Sequence, residues 1–162
     1  IKNMITDEKF ILPVASCINI NEIKDAVNRC WLLVSIIKGD AVDAINISDM
    51  IIVASGTTTL QAAILGVPMV IIYKISLLSY LMGRLLVKVK DIGLVNIVAG
   101  KRIVPELLQK DVNPERIFSA FWNIYGKPDK YQKTKEELKK VRIKLGKSGA
   151  SRKAAVSILK TL

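Results

Sequence analysis

Ser55-Gly56-Thr57-Thr58-Thr59 sets four hydroxyls and a glycine side by side. It lies between two uncharged runs. Met50–Ala54 is short and β-branched, as a strand buried on both faces should be. Leu60 to Leu65 is Ala-rich and suits a helix lying close on a sheet. Gly66 stops that helix, and Val67-Pro68 leads into a second apolar strand, Met69–Tyr73. The stretch reads as a βαβ unit whose polar turn sits at the carboxyl end of a strand, where open parallel sheets bind ligands. Such a turn can hold a phosphate or pyrophosphate. The first turn of a helix has unpaired N–H groups and the positive end of the macrodipole, and Ser and Thr hydroxyls add donors without bulk. The plainer alternative is that Ser55 and the threonines only cap the helix. The turn is neither a Walker loop, since no Gly-Lys-Ser/Thr follows, nor a GxGxxG fingerprint.

A second polar residue in apolar surroundings is Asn96, in the glycine-bounded segment Ile92–Gly100. An asparagine there either caps or cross-links loops, or touches a ligand. Other chemistries are poorly supplied. The chain has no histidine, and its two cysteines, Cys17 and Cys30, lack metal-type spacing. A disulfide framework, a Cys/His zinc site and a Ser-His-Asp triad are therefore disfavoured. Two buried, reduced cysteines would fit a cytoplasmic compartment.

The chain has 162 residues, 51% of them apolar, enough for one domain with a proper core. Residues 50–73 carry no charge and are long enough to span a bilayer, but Ser-Gly-Thr-Thr-Thr, Gln61 and Gly-Val-Pro interrupt them. A soluble βαβ unit explains those interruptions and a spanning helix does not. The formal charge is +11, and residues 127–162 hold 12 Lys/Arg against 3 Asp/Glu. A basic end on a near-neutral body points to an anionic surface or partner. The start, IKNMITDEKF, has no initiator methionine and no apolar signal core, so the chain reads as a piece of something longer.

The elements that must position these residues alternate. Phe10–Ala15 and Trp31–Ile37 are strand candidates, with a short helix between them capped by Asn21. Ala41–Ile45 makes a one-to-two-turn helix before the third strand. Strand and helix at this spacing predict a parallel sheet covered by helices on both faces. Beyond it, Ser76–Val89 reads as an apolar helix carrying Arg84 and Lys88. Val104-Pro105-Glu106 opens another helix with Pro in its first turn, and Asn113-Pro114-Glu115 opens the next. Asp129–Leu145 is a lysine-rich helix striped by Tyr131, Leu138, Val141 and Leu145. Ser151 caps the last helix, whose apolar face is Ala154, Ala155, Ile158, Leu159 and Leu162. Residues 1–126 thus form a Rossmann-like domain, and the basic helices of 127–162 pack as part of the same unit.

The run SGTTTLQAAILGVPMVIIYKIS, continued by LVKVKDIGLVNIVAGKRIVPELLQ, resembles the bacterial lipid-A-disaccharide synthase family, and LGKSGASRKAAVSIL is similar to that family's C-terminal end. The resemblance runs from about Phe10 to Leu162. Its specific part is Asn96-Ile97-Val98-Ala99-Gly100 followed by Val104-Pro105-Glu106-Leu107-Leu108-Gln109. It implies the donor-binding half of a GT-B glycosyltransferase of family 19. Such an enzyme transfers 2,3-diacylglucosamine from UDP-2,3-diacylglucosamine to 2,3-diacylglucosamine 1-phosphate, in lipid A biosynthesis, with neither metal nor cofactor. By resemblance, Ser55, Gly56, Thr57 and Thr58 would cradle the UDP phosphates, and Asn96 would lie at the donor site. Gln61 stands where the family usually has a glutamate for the ribose hydroxyls, and so loses a charge-assisted hydrogen bond. Val95 replaces the family's proline.

The family's Pro-Gly-Ser-Arg turn and its N-terminal acceptor domain are not found in this sequence, so the chain alone is expected not to catalyse transfer. The family's acylated substrates place the enzyme on the inner face of the cytoplasmic membrane as a peripheral protein. Arg84, Lys88, Lys139 and Lys140 are the candidates for contact with an anionic leaflet. The lysines could equally form a solvated helix face. The peptidoglycan N-acetylglucosaminyltransferase is a related alternative, but it lacks the NIVAG…VPELLQ run. A nucleic-acid-binding module is the alternative from another class. It is disfavoured because the basic end has a single aromatic, Tyr131, and no glycine-rich RNA motif. Oligomeric state is open, a homo-oligomer included.

Overall fold

The computed structural model describes residues 9–29, 33–39, 41–54, 56–75, 91–146 and 149–160. In chain order the elements are β1 (Phe10–Val14), α1 (Ile20–Arg29), β2 (Val34–Lys38), α2 (Ala41–Asn46), β3 (Ile51–Ala54), α3 (Thr58–Leu65) and β4 (Met69–Tyr73). There follow α4 (Leu94–Ala99), β5 (Glu106–Leu108), a 3₁₀ turn at Gln109–Asp111, α5 (Pro114–Tyr125), α6 (Pro128–Leu145) and α7 (Ala150–Leu159). The fold is α/β with parallel pairing throughout, consistent with the Rossmann-like half of a GT-B enzyme. One continuous sheet was the expectation. Instead the strands are hydrogen-bonded in two groups, β1–β2 and β3–β4–β5.

β4 is the middle strand of its sheet. Ile51 pairs with Met69 on one side, and Ile71 with Glu106 on the other. Met69, Val70 and Ile71 are fully buried, which is why this strand is apolar without alternation. Ala62 and Ala63 of α3 are also fully buried. Their small side chains let the helix lie close to the sheet, as the Ala-rich sequence requires. α6 joins this core through Leu138 and Val141, packing against α3, α4 and α5. The lysine-rich helix is thus a core helix with a solvated basic face. Leu145, at the end of its stripe, is exposed.

Several expectations need correcting. Residues 106–108 form a strand, not a helix. Glu106, Leu107 and Leu108 have ordinary helix propensity, but they pair with Ile71, Ile72 and Tyr73 of the buried strand β4, and tertiary pairing overrides local preference. Gly149, not Ser151, stands at the N-cap of α7. The side chains described in α7 are all exposed, Ile158 and Leu159 included, so the apolar face expected there is not covered within this chain's described residues. Cys17 is exposed, against the expectation of two buried cysteines, and Cys30 lies outside the described residues. The helix expected at Ser76–Val89 also lies outside them.

Candidate functional site

The polar turn and α3 follow β3 directly, so they stand at the carboxyl edge of the sheet. Gly56 has φ +154, a conformation that residues with a Cβ rarely adopt, and an added Cβ there would meet nothing within 4 Å. The backbone is bent back at this point and the space beside it is open. Thr57 is the N-cap of α3, yet its side chain makes no capping hydrogen bond. Thr59 is buried, and its hydroxyl donates to the Gly56 carbonyl at 2.7 Å, which braces the turn from within. The capping alternative is therefore not realised by Thr57. No described residue accepts from the Thr57 or Thr58 N–H, whereas the Thr59 and Leu60 N–H groups bond to Gly56 and Thr57 carbonyls at 3.2 and 3.0 Å. Thr57 is exposed, Thr58 half-buried, and Gln61 exposed one turn on with no side-chain partner among the described residues. The arrangement is a helix N-terminus whose Thr57 and Thr58 N–H groups have no acceptor among the described residues, which is what an anion can take. Ser55 lies outside the described residues.

Asn96 has a different environment. It is fully buried, and its Nδ2 donates to the Val104 carbonyl at 2.9 Å and to Glu106 Oε1 at 2.7 Å. Its Oδ1 accepts from the Ile103 and Val104 N–H groups at 2.8 and 3.1 Å. Four bonds are the full capacity of an amide side chain. Of the two roles open in the sequence, the structure assigns Asn96 the loop cross-link. No atom of its amide is left for a further hydrogen bond in this arrangement.

Sequence reasoning missed the rest of this network. Glu106 accepts from Ile92 N at 2.8 Å and Gly93 N at 3.0 Å, just ahead of α4. A carboxylate from a neighbouring strand thus satisfies N–H groups at a helix start. Gly93 permits the approach, since a Cβ on it would collide with Ile71 Cδ1 and lie 2.9 Å from Glu106 Oε1. Gln109, at φ +50, turns its amide to Ile75, accepting from its N–H at 2.9 Å and donating to its carbonyl at 3.0 Å. The available signal was a carboxylate and an amide placed three apart in an apolar V-P-E-L-L-Q run.

The basic face is partly engaged. Glu137 pairs with Lys101 and Lys140, each at 2.6 Å. The bond from Lys101, then that from Lys140, lowers its pKa from 4.5 to about 2. The same contact raises the pKa of Lys140. Lys144 donates to the Val98 and Ala99 carbonyls at the C-terminus of α4, a cation placed where the helix dipole favours it. Tyr131 donates to the Asp49 carbonyl at 2.8 Å, and burial raises its pKa. Lys139 is exposed, whereas Arg84 and Lys88 lie outside the described residues. Among the described residues no helix is long and apolar enough to cross a membrane.

Residues 1–160 match a family model described as lipid-A-disaccharide synthetase. The chain is 46% identical over 152 residues to the lipid-A-disaccharide synthase of Syntrophus aciditrophicus strain SB, covering 93% of this chain and 40% of that protein. It is 41% identical over 156 residues to the enzyme of the same name from Geobacter sulfurreducens, covering 96% and 41%. Against the Myxococcus xanthus protein the identity is 35% over 152 residues, covering 94% and 40%. The chain spans about two fifths of the length of the curated relatives it matches.

Proposed function

Because the chain belongs to the lipid-A-disaccharide synthetase family, we propose that it is the donor-binding part of a glycosyltransferase of lipid A biosynthesis. The donor is UDP-2,3-diacylglucosamine and the acceptor 2,3-diacylglucosamine 1-phosphate. The donor is a substrate, and the reading includes no resident metal or cofactor. One observation carries it: the start of α3 at the carboxyl edge of the sheet, where Gly56 leaves open space and the Thr57 and Thr58 N–H groups have no acceptor among the described residues.

In this reading the diphosphate sits on that helix start. The anomeric C–O bond breaks toward it as the acceptor hydroxyl attacks, and UDP departs with the negative charge that the helix N-terminus favours. Gln61, one turn along, meets the ribose hydroxyls. Asn96, Glu106 and Gln109 hold the neighbouring backbone. In this reading the residues of this chain hold the donor, and none of them is assigned to the acceptor or to the proton of its hydroxyl. The lipid substrates place the enzyme at the inner face of the cytoplasmic membrane, with Lys139 on the exposed face of α6 as a contact.

Titration of the chain with UDP, read by amide NMR, tests this. Saturable shifts at Gly56–Gln61 are expected. A folded chain whose α3 amides do not respond to UDP would overturn the donor site.

A further inference from the structure

A concave surface lies away from α3. It has a volume of about 930 Å³ and is lined by the 101–107 segment, α5 and α6. The 101–105 loop enters β5 at its amino end, where Ile71 N donates to the Pro105 carbonyl. The first turn of α6 is tied by Tyr131 to Asp49, just before β3. Both contacts put the groove toward the amino edge of the sheet, opposite the α3 turn.

Its lining carries five cations, Lys101, Arg102, Arg116, Lys130 and Lys133, against one carboxylate, Glu137. That carboxylate is held by two lysines, Lys101 inside the groove and Lys140 outside it, so it offers little repulsion to an anion. Arg102 and Arg116 each pair with an aspartate, Asp91 and Asp111, that does not line the groove. Lys130 is bonded only to neutral Asn123, and Lys133 has no ion pair or hydrogen bond among the described residues. Cations from a loop and two helices therefore converge on a concavity without matching counter-charge inside it. The exposed lysines of a solvated helix face diverge instead.

We propose that this groove is a second anion site, taking a phosphate group through Lys130 and Lys133, with Arg116 and Lys101 at its rim. The phosphate comes either from a lipid headgroup or from a soluble phosphorylated molecule. The site is independent of the donor reading, because it lies on the other edge of the sheet.

Inorganic pyrophosphate and phosphatidylcholine vesicles with and without phosphatidic acid are the probes. At physiological salt, pyrophosphate is expected to shift the Lys101–Val104 and Lys130–Glu137 amides saturably. Lys130→Glu with Lys133→Glu, both exposed and outside the core, should weaken that response at least about tenfold. The Gly56–Gln61 amides report the other site in the same spectra, and circular dichroism confirms the fold. Lys133→Ala gives a milder second variant. Vesicle binding that needs phosphatidic acid and is lost in the double variant supports the headgroup source. A pyrophosphate response without vesicle binding supports the soluble source. No saturable groove shift with either probe, or a shift unchanged in the double variant, overturns the proposal. Tighter binding of a duplex oligonucleotide through the same two lysines would overturn it in favour of a nucleic-acid surface.

Discussion

The α3 turn and the Asn96 network both place polar residues among apolar neighbours, yet they use them in opposite ways. At α3 the donors of Thr57 and Thr58 meet no described acceptor, and Gln61 is exposed without a side-chain partner among the described residues. Around Asn96 every amide valence is taken, and Glu106 is bonded to two backbone N–H groups besides. A buried polar side chain with a full set of partners holds structure together, because any lost partner leaves a desolvated group unmet. A polar group facing open space is at liberty to meet a ligand. Changes around Asn96 should therefore register in stability, and changes at the α3 turn in affinity.

The largest expected effect is on the buried side. Asn96→Leu removes the partner of the Val104 N–H and carbonyl and of the Ile103 N–H, and one of the three bonds to Glu106, and should cost about 3–5 kcal/mol by urea denaturation. The UDP affinity of the remaining folded protein should change little. A large affinity loss with unchanged stability would break the comparison outright. Gly56→Ala should cost about 1–3 kcal/mol through its backbone conformation, since the added methyl meets no atom. It should also weaken UDP binding by filling the space beside the turn. An affinity unchanged in that variant would move the ligand away from Gly56.

Gln61→Glu should do the reverse of Asn96→Leu. Stability stays within about 0.5 kcal/mol, as at an exposed helix position. UDP binds more tightly by about 1 kcal/mol if the ribose hydroxyls gain a charged acceptor. Calorimetry reads this directly, and equal affinity would remove Gln61 from the ribose. The smallest effect is at Glu137. Its lowered pKa stabilises the fold above the ordinary value of 4.5, and that contribution is lost as pH falls from there through about 2. The stability gap between the protein and Glu137→Gln should be present at neutral pH, shrink below pH 4.5 and close near pH 2. A gap independent of pH would mean that the Lys101 and Lys140 bonds do not persist in solution.

The strand–turn–helix–strand unit was legible because its signals are local. Met69–Tyr73 is a strand in sequence and structure alike, and α3 begins two residues earlier than the apolar run suggested. The N-cap at Asn113 was legible for the same reason, and its side chain accepts from the Arg116 N–H at 3.0 Å. Local signals failed at residues 104–108. There proline, glutamate and leucines read as a helix start, while the partner that makes a strand of them, β4, lies more than thirty residues away. They also failed at Ser151, where Gly149 starts the helix instead.

The sequence by itself determined the apolar periodicity, the polar turn at a strand's carboxyl end, the basic end and the family. All of these depend on residue types within a few positions of one another. Only the tertiary structure decided that Asn96 is closed off while Gln61 is open. The difference lies in whether another segment arrives to fill the hydrogen-bonding groups, and for Asn96 the arriving groups come from residues 103–106. It likewise decided that the lysine-rich helix belongs to the core, since Leu138 and Val141 find α3 and α4 only once the chain has folded back on them.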